Sequence, residues 1–91
     1  METTNPIFGQ TTNYLDKHCK RNVGGSSGGE GALISGKGSV LGFGSDIGGS
    51  IRIPCNMNGV YGLKPTAGRL RYYLLLYQLA LVTCLNYYRI E

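Results

Sequence analysis

The fold turns on the stretch Gly24-Gly25-Ser26-Ser27-Gly28-Gly29-Glu30-Gly31-Ala32-Leu33-Ile34-Ser35-Gly36. Ser27 is followed three residues later by Glu30 and then by Ala32, Leu33 and Ile34, the pattern of a capping box opening a short helix. Gly36 should end that helix. Outward from it, Ser39 to Phe43 reads as a short strand whose Val40, Leu41 and Phe43 supply apolar surface. Val60 to Leu63 reads as a second strand, closed by Lys64-Pro65-Thr66 and Gly68. Helix and strand alternate, so the expected class is α/β.

Composition sets the scale of that unit. The chain has 91 residues, 42% hydrophobic and 15% charged, and no apolar run of the roughly 20 residues a membrane helix needs, which rules out a multi-domain or polytopic protein. Fifteen residues are glycine, eleven of them between Gly24 and Gly49, and all six serines fall between Ser26 and Ser50. Each glycine inside regular structure costs about 0.5–1 kcal/mol relative to alanine, so this many in one small unit imply that a particular backbone path is being specified. The chain reads as the site-bearing segment of something larger.

Charge and cysteine usage exclude several classes. The net charge of +4 comes from nine Lys and Arg against five Asp and Glu, scattered except for a knot at Lys17, His18, Lys20 and Arg21. A nucleic-acid surface needs a broader basic stripe with stacking aromatics, so the knot reads as a solvated loop and no nucleic-acid partner is expected. Cys19, Cys55 and Cys84 are odd in number and lack Cys-x-x-Cys or Cys/His ligand spacing, which disfavours a disulfide framework and a zinc site and fits a reducing compartment. Met1 to Thr12 shows no basic start followed by an apolar run, so no secretory signal is read and an intracellular location is expected.

Three compositional blocks follow: a polar lead over 1–23, the glycine and serine core over 24–69, and an apolar tail over 70–91. Tyr72 to Tyr88 carries no formal charge, and its leucines at 74, 75, 76, 79, 81 and 85 fit a helix with little polar face, flanked by Arg71 and Arg89. A buried or partner-packed helix is the expectation there, outside the α/β core.

Two sequence motifs fail on inspection. Gly31-Ala32-Leu33-Ile34-Ser35-Gly36-Lys37-Gly38 has the GxxxxGK spacing of a phosphate loop but lacks the Ser or Thr that ligates magnesium, and it follows a helix pattern instead of a strand. The GxSxG spacing occurs around Ser26 and around Ser27, yet Lys20 to Val23 is a poor strand for a nucleophile elbow, and the single histidine, His18, precedes the serines. What remains is Ser26 and Ser50, each in a glycine setting and separated by a helix and a strand able to bring them together. Ile47-Gly48-Gly49-Ser50 presents consecutive backbone N–H groups with few side chains in the way, an arrangement suited to an oxyanion. A serine hydroxyl still needs a base to become a nucleophile. Spacing alone leaves open that both serines lie in flexible turns.

Three blocks in order, Gly24 to Glu30, then Gly44-Ser45-Asp46-Ile47-Gly48-Gly49-Ser50-Ile51-Arg52-Ile53-Pro54, then Gly59-Val60-Tyr61-Gly62-Leu63-Lys64-Pro65-Thr66, resemble the core of the amidase signature family from about Asn5 to Arg69. The runs Gly29 to Ile34 and Asn5-Pro6-Ile7-Phe8-Gly9-Gln10-Thr11 look most like its fatty-acid amide hydrolase branch. The resemblance implies a fragment of the amidase signature fold, a mixed sheet with flanking helices, to which the tail adds an atypical apolar C-terminal helix. It also implies a Ser-Ser-Lys triad with Ser50 as the acylated nucleophile and Ser26, after a cis peptide, relaying its proton to lysine. The oxyanion hole would be the backbone of Ile47, Gly48, Gly49 and Ser50, Ser27 would support the relay, and Asp46 with Arg52 would hold the loop by hydrogen bonds. No metal or cofactor is implied, the substrate would be a small-molecule amide of fatty acyl type, and the full-length parent is open to membrane association.

The family's catalytic lysine belongs upstream of Met1, while Lys64 matches a structural lysine of the motif and Lys17, Lys20 and Lys37 match no catalytic position. The chain by itself is therefore expected to be inactive. A non-catalytic remnant that binds or packs against a partner is the alternative. After Leu70 the resemblance is expected to stop.

Overall fold

A computed structural model describes residues 2–18, 20–66 and, for the backbone, 81–85. In chain order the elements are β1 (Thr4–Asn5), β2 (Gly9–Gln10), α1 (Gly28–Ser35), β3 (Leu41–Ser45), α2 (Arg52–Asn58), β4 (Tyr61–Gly62) and β5 (Leu81–Leu85). β1 and β2 form a small antiparallel hairpin with Thr4 opposite Gln10 and Asn5 opposite Gly9. Its tip is turned by Asn5, whose Oδ1 accepts from the amides of Ile7 at 2.8 Å and Phe8 at 3.2 Å, so the side chain replaces a backbone carbonyl in the turn.

The lead then folds back on itself around two side chains. Asp16 accepts from the amides of His18 at 3.0 Å, Lys20 at 2.9 Å and Arg21 at 2.7 Å. Those amides, the His18 one foremost, hold its carboxyl below the ordinary carboxylate range. The basic knot is therefore a loop wound on one carboxylate. Buried Asn13 sends its Nδ2 to the Met57 carbonyl at 2.7 Å, tying the lead to the end of α2.

The helix α1 begins after Ser27 and stops at Gly36, as the sequence pattern indicates. Its start is not a capping box. Ser27 makes no side-chain cap; its hydroxyl accepts from the Ser45 amide at 3.3 Å and donates to the Ser45 carbonyl at 3.4 Å. The neighbouring strand outcompetes the local motif. At the other end Gly38 N–H reaches the Leu33 carbonyl at 2.8 Å and Lys37 N–H the Ile34 carbonyl at 2.9 Å, a Schellman closure. Lys37 takes the left-handed position there, with φ of 62°.

The strand expected at Ser39 to Phe43 lies at Leu41–Ser45 instead. Glycines at 42 and 44 set the shift, because they let the strand run close under α1: a Cβ on Gly44 would stand 2.5 Å from Ser27 Oγ, and one on Gly42 would collide with Glu30. The strand expected at Val60 to Leu63 is the short β4. Between them lies α2, which no sequence pattern signalled; Pro54 fits its first turn, and Gly59, with φ of 64°, closes it in the left-handed conformation.

The tail corrects a further expectation. Leu81 to Leu85, inside the expected helix Tyr72 to Tyr88, is strand β5, and the rest of that stretch lies outside the described residues. β5 runs antiparallel to both β3 and β4 in the order β3-β5-β4, pairing Leu41 with Leu85 through Ser45 with Leu81, and Tyr61 with Leu85. The leucine count favoured a helix, but β-branched Val82 and Thr83 suit a strand, and the facing backbones of β3 and β4 supply its hydrogen-bonding partners. Helix α1 packs on α2 and β3, and α2 on β4, which gives an α/β arrangement. Among the described residues Val23, Ile34 and Ile51 are fully buried, and Ile34, Ile51 and Cys55 form a cluster with Val60 packed against it.

Candidate functional site

Two glycine-rich loops meet where α1 and α2 begin. The first, Gly24 to Ser27, leaves buried Val23 and carries a cis peptide between Gly25 and Ser26, the geometry the resemblance implies. Ser26 is exposed on it and Ser27 half-buried. The second, Asp46 to Ile51, leads from β3 into α2, with Ser50 half-buried at its end. The Ser27 amide donates to the Ser50 carbonyl at 3.0 Å. The structure therefore brings the Ser26-Ser27 segment directly against Ser50.

Asp46 organises the second loop. Its side chain is buried and accepts from Gly49 N–H at 2.6 Å, Ile51 N–H at 3.3 Å and Arg52 N–H at 3.2 Å, and from Arg52 Nε and Nη2 at 3.0 Å each. The paired Arg52 guanidinium, foremost, holds the carboxyl far below the ordinary carboxylate range, against the opposing effect of burial. Asp46 in turn raises the Arg52 guanidinium above its usual value. A carboxylate wrapped by amides and a forked guanidinium stays charged and fixes every group it touches. Asp46 thus supplies from a distance the amide partners that the start of α2 lacks locally.

This wrapping alters the expected oxyanion run. Gly49 N–H is spent on Asp46, which takes it out of the expected run. Gly49 also has φ of 117°, a conformation open to glycine, and an added Cβ would lie 2.9 Å from Ile53 Cδ1. Ile47 and Gly48 are both exposed beside Ser50, and their amides have no partner among the described residues.

Lys64 is half-buried and Lys17, Lys20 and Lys37 are exposed; among the described residues, none of their side chains is hydrogen-bonded to Ser26. Thr3 was not singled out in the sequence, yet its hydroxyl contacts the first loop at several points. Its partners lie 21 to 25 residues away along the chain, beyond any local pattern.

Comparison with known proteins agrees with the motifs. The amidase family model matches residues 1–84, reaching into the tail and the first four residues of β5. The chain is 58% identical over 71 residues to Amidase 2 of Gibberella moniliformis, covering 78% of this chain and 14% of that protein. It is 56% identical over 66 residues to Fatty acid amide hydrolase 1 of Caenorhabditis elegans, covering 72% and 11% respectively. Against the Acetamidase of Emericella nidulans it is 54% identical over 71 residues, covering 78% and 13%. The chain thus spans only a small part of the length of each relative. With matching motifs, a family match over most of its residues and identities above one half, the chain belongs to the amidase family.

Proposed function

We propose that this chain is the nucleophile-bearing segment of a serine amidohydrolase that cleaves the carbon–nitrogen bond of fatty acyl amides through an acyl-enzyme on Ser50. The observation that carries the reading is the 3.0 Å bond from the Ser27 amide to the Ser50 carbonyl, which holds the two serine loops together. The fatty acyl preference draws on the similarity to Fatty acid amide hydrolase 1 of Caenorhabditis elegans.

In this reading Ser50 Oγ attacks the amide carbon while its proton passes to the Ser26 hydroxyl, which hands its own to a neutral lysine. That lysine lies outside the motif positions of this chain, so the chain alone should not turn over amides. The oxyanion of the tetrahedral intermediate is stabilised by the amides of Ile47 and Gly48 together with Ser50, each such donor being worth about 2.7–4 kcal/mol in the transition state. Lysine then returns the proton through Ser26 to the leaving amine, the carbon–nitrogen bond breaks, and water releases the acid from Ser50 by the same path reversed. Asp46 and Arg52 keep the second loop in register, and Ser27 anchors the first loop to β3.

The test is a segment swap in which residues 2–66 replace the matching segment of the Caenorhabditis elegans relative. The expected outcome is hydrolysis of a long-chain acyl amide in preference to acetamide, with Ser50→Ala lowering turnover by at least about 10³-fold. A swap that folds but turns over no faster than its own Ser50→Ala variant would support the non-catalytic reading instead.

A further inference from the structure

We infer that Thr3 is a positioning residue for the serine loop, holding the Gly24 to Gly28 backbone in the shape that aims Ser26; this rests on the amidohydrolase reading above. The half-buried Thr3 hydroxyl donates to the Gly24 carbonyl at 2.8 Å and lies 3.5 Å from the Ser26 carbonyl, and it accepts from the Gly28 amide at 3.1 Å. It therefore bridges the loop from the residue before Gly25 to the first residue of α1. The Gly24–Gly25 peptide before Ser26 and the Ser27–Gly28 peptide after it are thus tied to one oxygen atom from a separate part of the chain.

The glycines on this face show how close the approach is. A Cβ on Gly28 would collide with Thr3 Oγ1 and stand 2.6 Å from Val23 Cγ2, and one on Gly25 would stand 2.7 Å from the Glu2 carbonyl oxygen. Glu2 and Thr3 thus lie flat along the loop. The hairpin behind them keeps Thr3 in place, since the Thr11 amide donates to the Thr3 carbonyl at 3.0 Å. The Gly28 amide is one of the first N–H groups of α1, which have no partner within the helix. Thr3 supplies the side-chain acceptor that Ser27, occupied with Ser45, does not. Removing the hydroxyl while keeping the side chain's shape should loosen the loop around Ser26 and leave the Asp46 loop intact.

Two measurements with Thr3→Val and Thr3→Ser separate this role from general stability. In the 91-residue chain, amide hydrogen exchange is followed at Gly28, at Ser27 and, for reference, at Ile34 inside α1. Thr3→Val should speed exchange about tenfold at Gly28 and Ser27 with Ile34 unchanged, and Thr3→Ser should restore it. In the segment swap, Thr3→Val should lower kcat about tenfold with KM unchanged, since a displaced proton relay slows chemistry without weakening substrate binding, and Thr3→Ser should recover most of the loss. Uniform acceleration that includes Ile34, an equal loss in kcat with both variants, or no change in either measurement would overturn the assignment. An inactive parent swap would instead defeat the amidohydrolase reading, and exchange at Gly28 and Ser27 would still decide whether Thr3 holds the loop.

Discussion

The amide of Ser27 and the carbonyl of Ser50 share a hydrogen bond of 3.0 Å, although the two residues lie in loops separated by α1 and β3. Each loop is held separately on its far side. Ser27 bonds through its hydroxyl to Ser45, and the Ser50 loop hangs on Asp46. Since Ser45 and Asp46 are adjacent, the end of β3 is the common support for both loops. Geometry at the serines therefore depends on the contact between β3 and α1.

That contact makes the glycines of β3 unequal. An added methyl at Gly44 would meet Ser27 Oγ at 2.5 Å and Ile51 Cγ1 at 2.9 Å, both fixed by their surroundings, whereas at Gly42 its three nearest contacts are Oε1, Cγ and Cδ of the flexible Glu30 side chain. Gly44→Ala should destabilise the chain by about 1–3 kcal/mol, as overpacking does, and Gly42→Ala by clearly less. Gly29, in α1 with open space around it, should gain about 0.5–1 kcal/mol on substitution by alanine. Denaturant unfolding of the three variants checks the order, and an equal cost at 42 and 44 would show that Ser27 is not the fixed wall described.

Asp46 makes stability dependent on acid. Its folded-state pKa lies below the unfolded value of about 3.9 because Arg52 and three amides bind the charged form. The stabilisation is fully present above pH of about 5 and is lost as pH falls through the unfolded value towards the folded one. Asp16, lowered by its own amides, acts in the same direction, so some acid dependence survives without Asp46. Asp46→Asn should cost about 1–3 kcal/mol at neutral pH and flatten the acid limb of the thermal midpoint between pH of about 5 and 2. Parallel curves for variant and parent would contradict this role.

Much of the fold was readable in local pattern. Gly36 marks the end of α1, and Gly24 to Ser27 and Asp46 to Ser50 stand out as loops of specified shape. The misreadings share a cause, which is that distant partners overrode local ones. Ser27 and Glu30 have capping-box spacing, but Ser45 takes the hydroxyl. Helix α2 went unread because its amides are met by Asp46, six residues before Arg52, instead of by a neighbouring cap. The same carboxylate takes the Gly49 amide, which the resemblance implies for an oxyanion hole. In the tail, leucine content masked a strand whose partners lie about 40 residues earlier in the chain and about 20 residues earlier at β4.

The tail bears on where the core ends. Sequence composition sets an appendage from residue 70 onward, while β5 lies between β3 and β4. Truncation after Arg71 should therefore expose the backbone edge of β3, lower hydrogen-exchange protection across Gly42 to Ser45 and reduce solubility. Improved solubility with unchanged protection of those amides would instead mark the tail as dispensable.

The most direct test of the amidohydrolase reading is to trap the acyl-enzyme in the segment swap by acid quench during turnover of a long-chain acyl amide, followed by tryptic mass mapping. Cleavage after Arg21, Lys37 and Arg52 places Ser26 and Ser50 in different peptides. The acyl mass should appear on the peptide 38–52, be absent from 22–37, and vanish with Ser50→Ala. Acyl mass on 22–37, or turnover that persists with Ser50→Ala, would contradict Ser50 as the nucleophile.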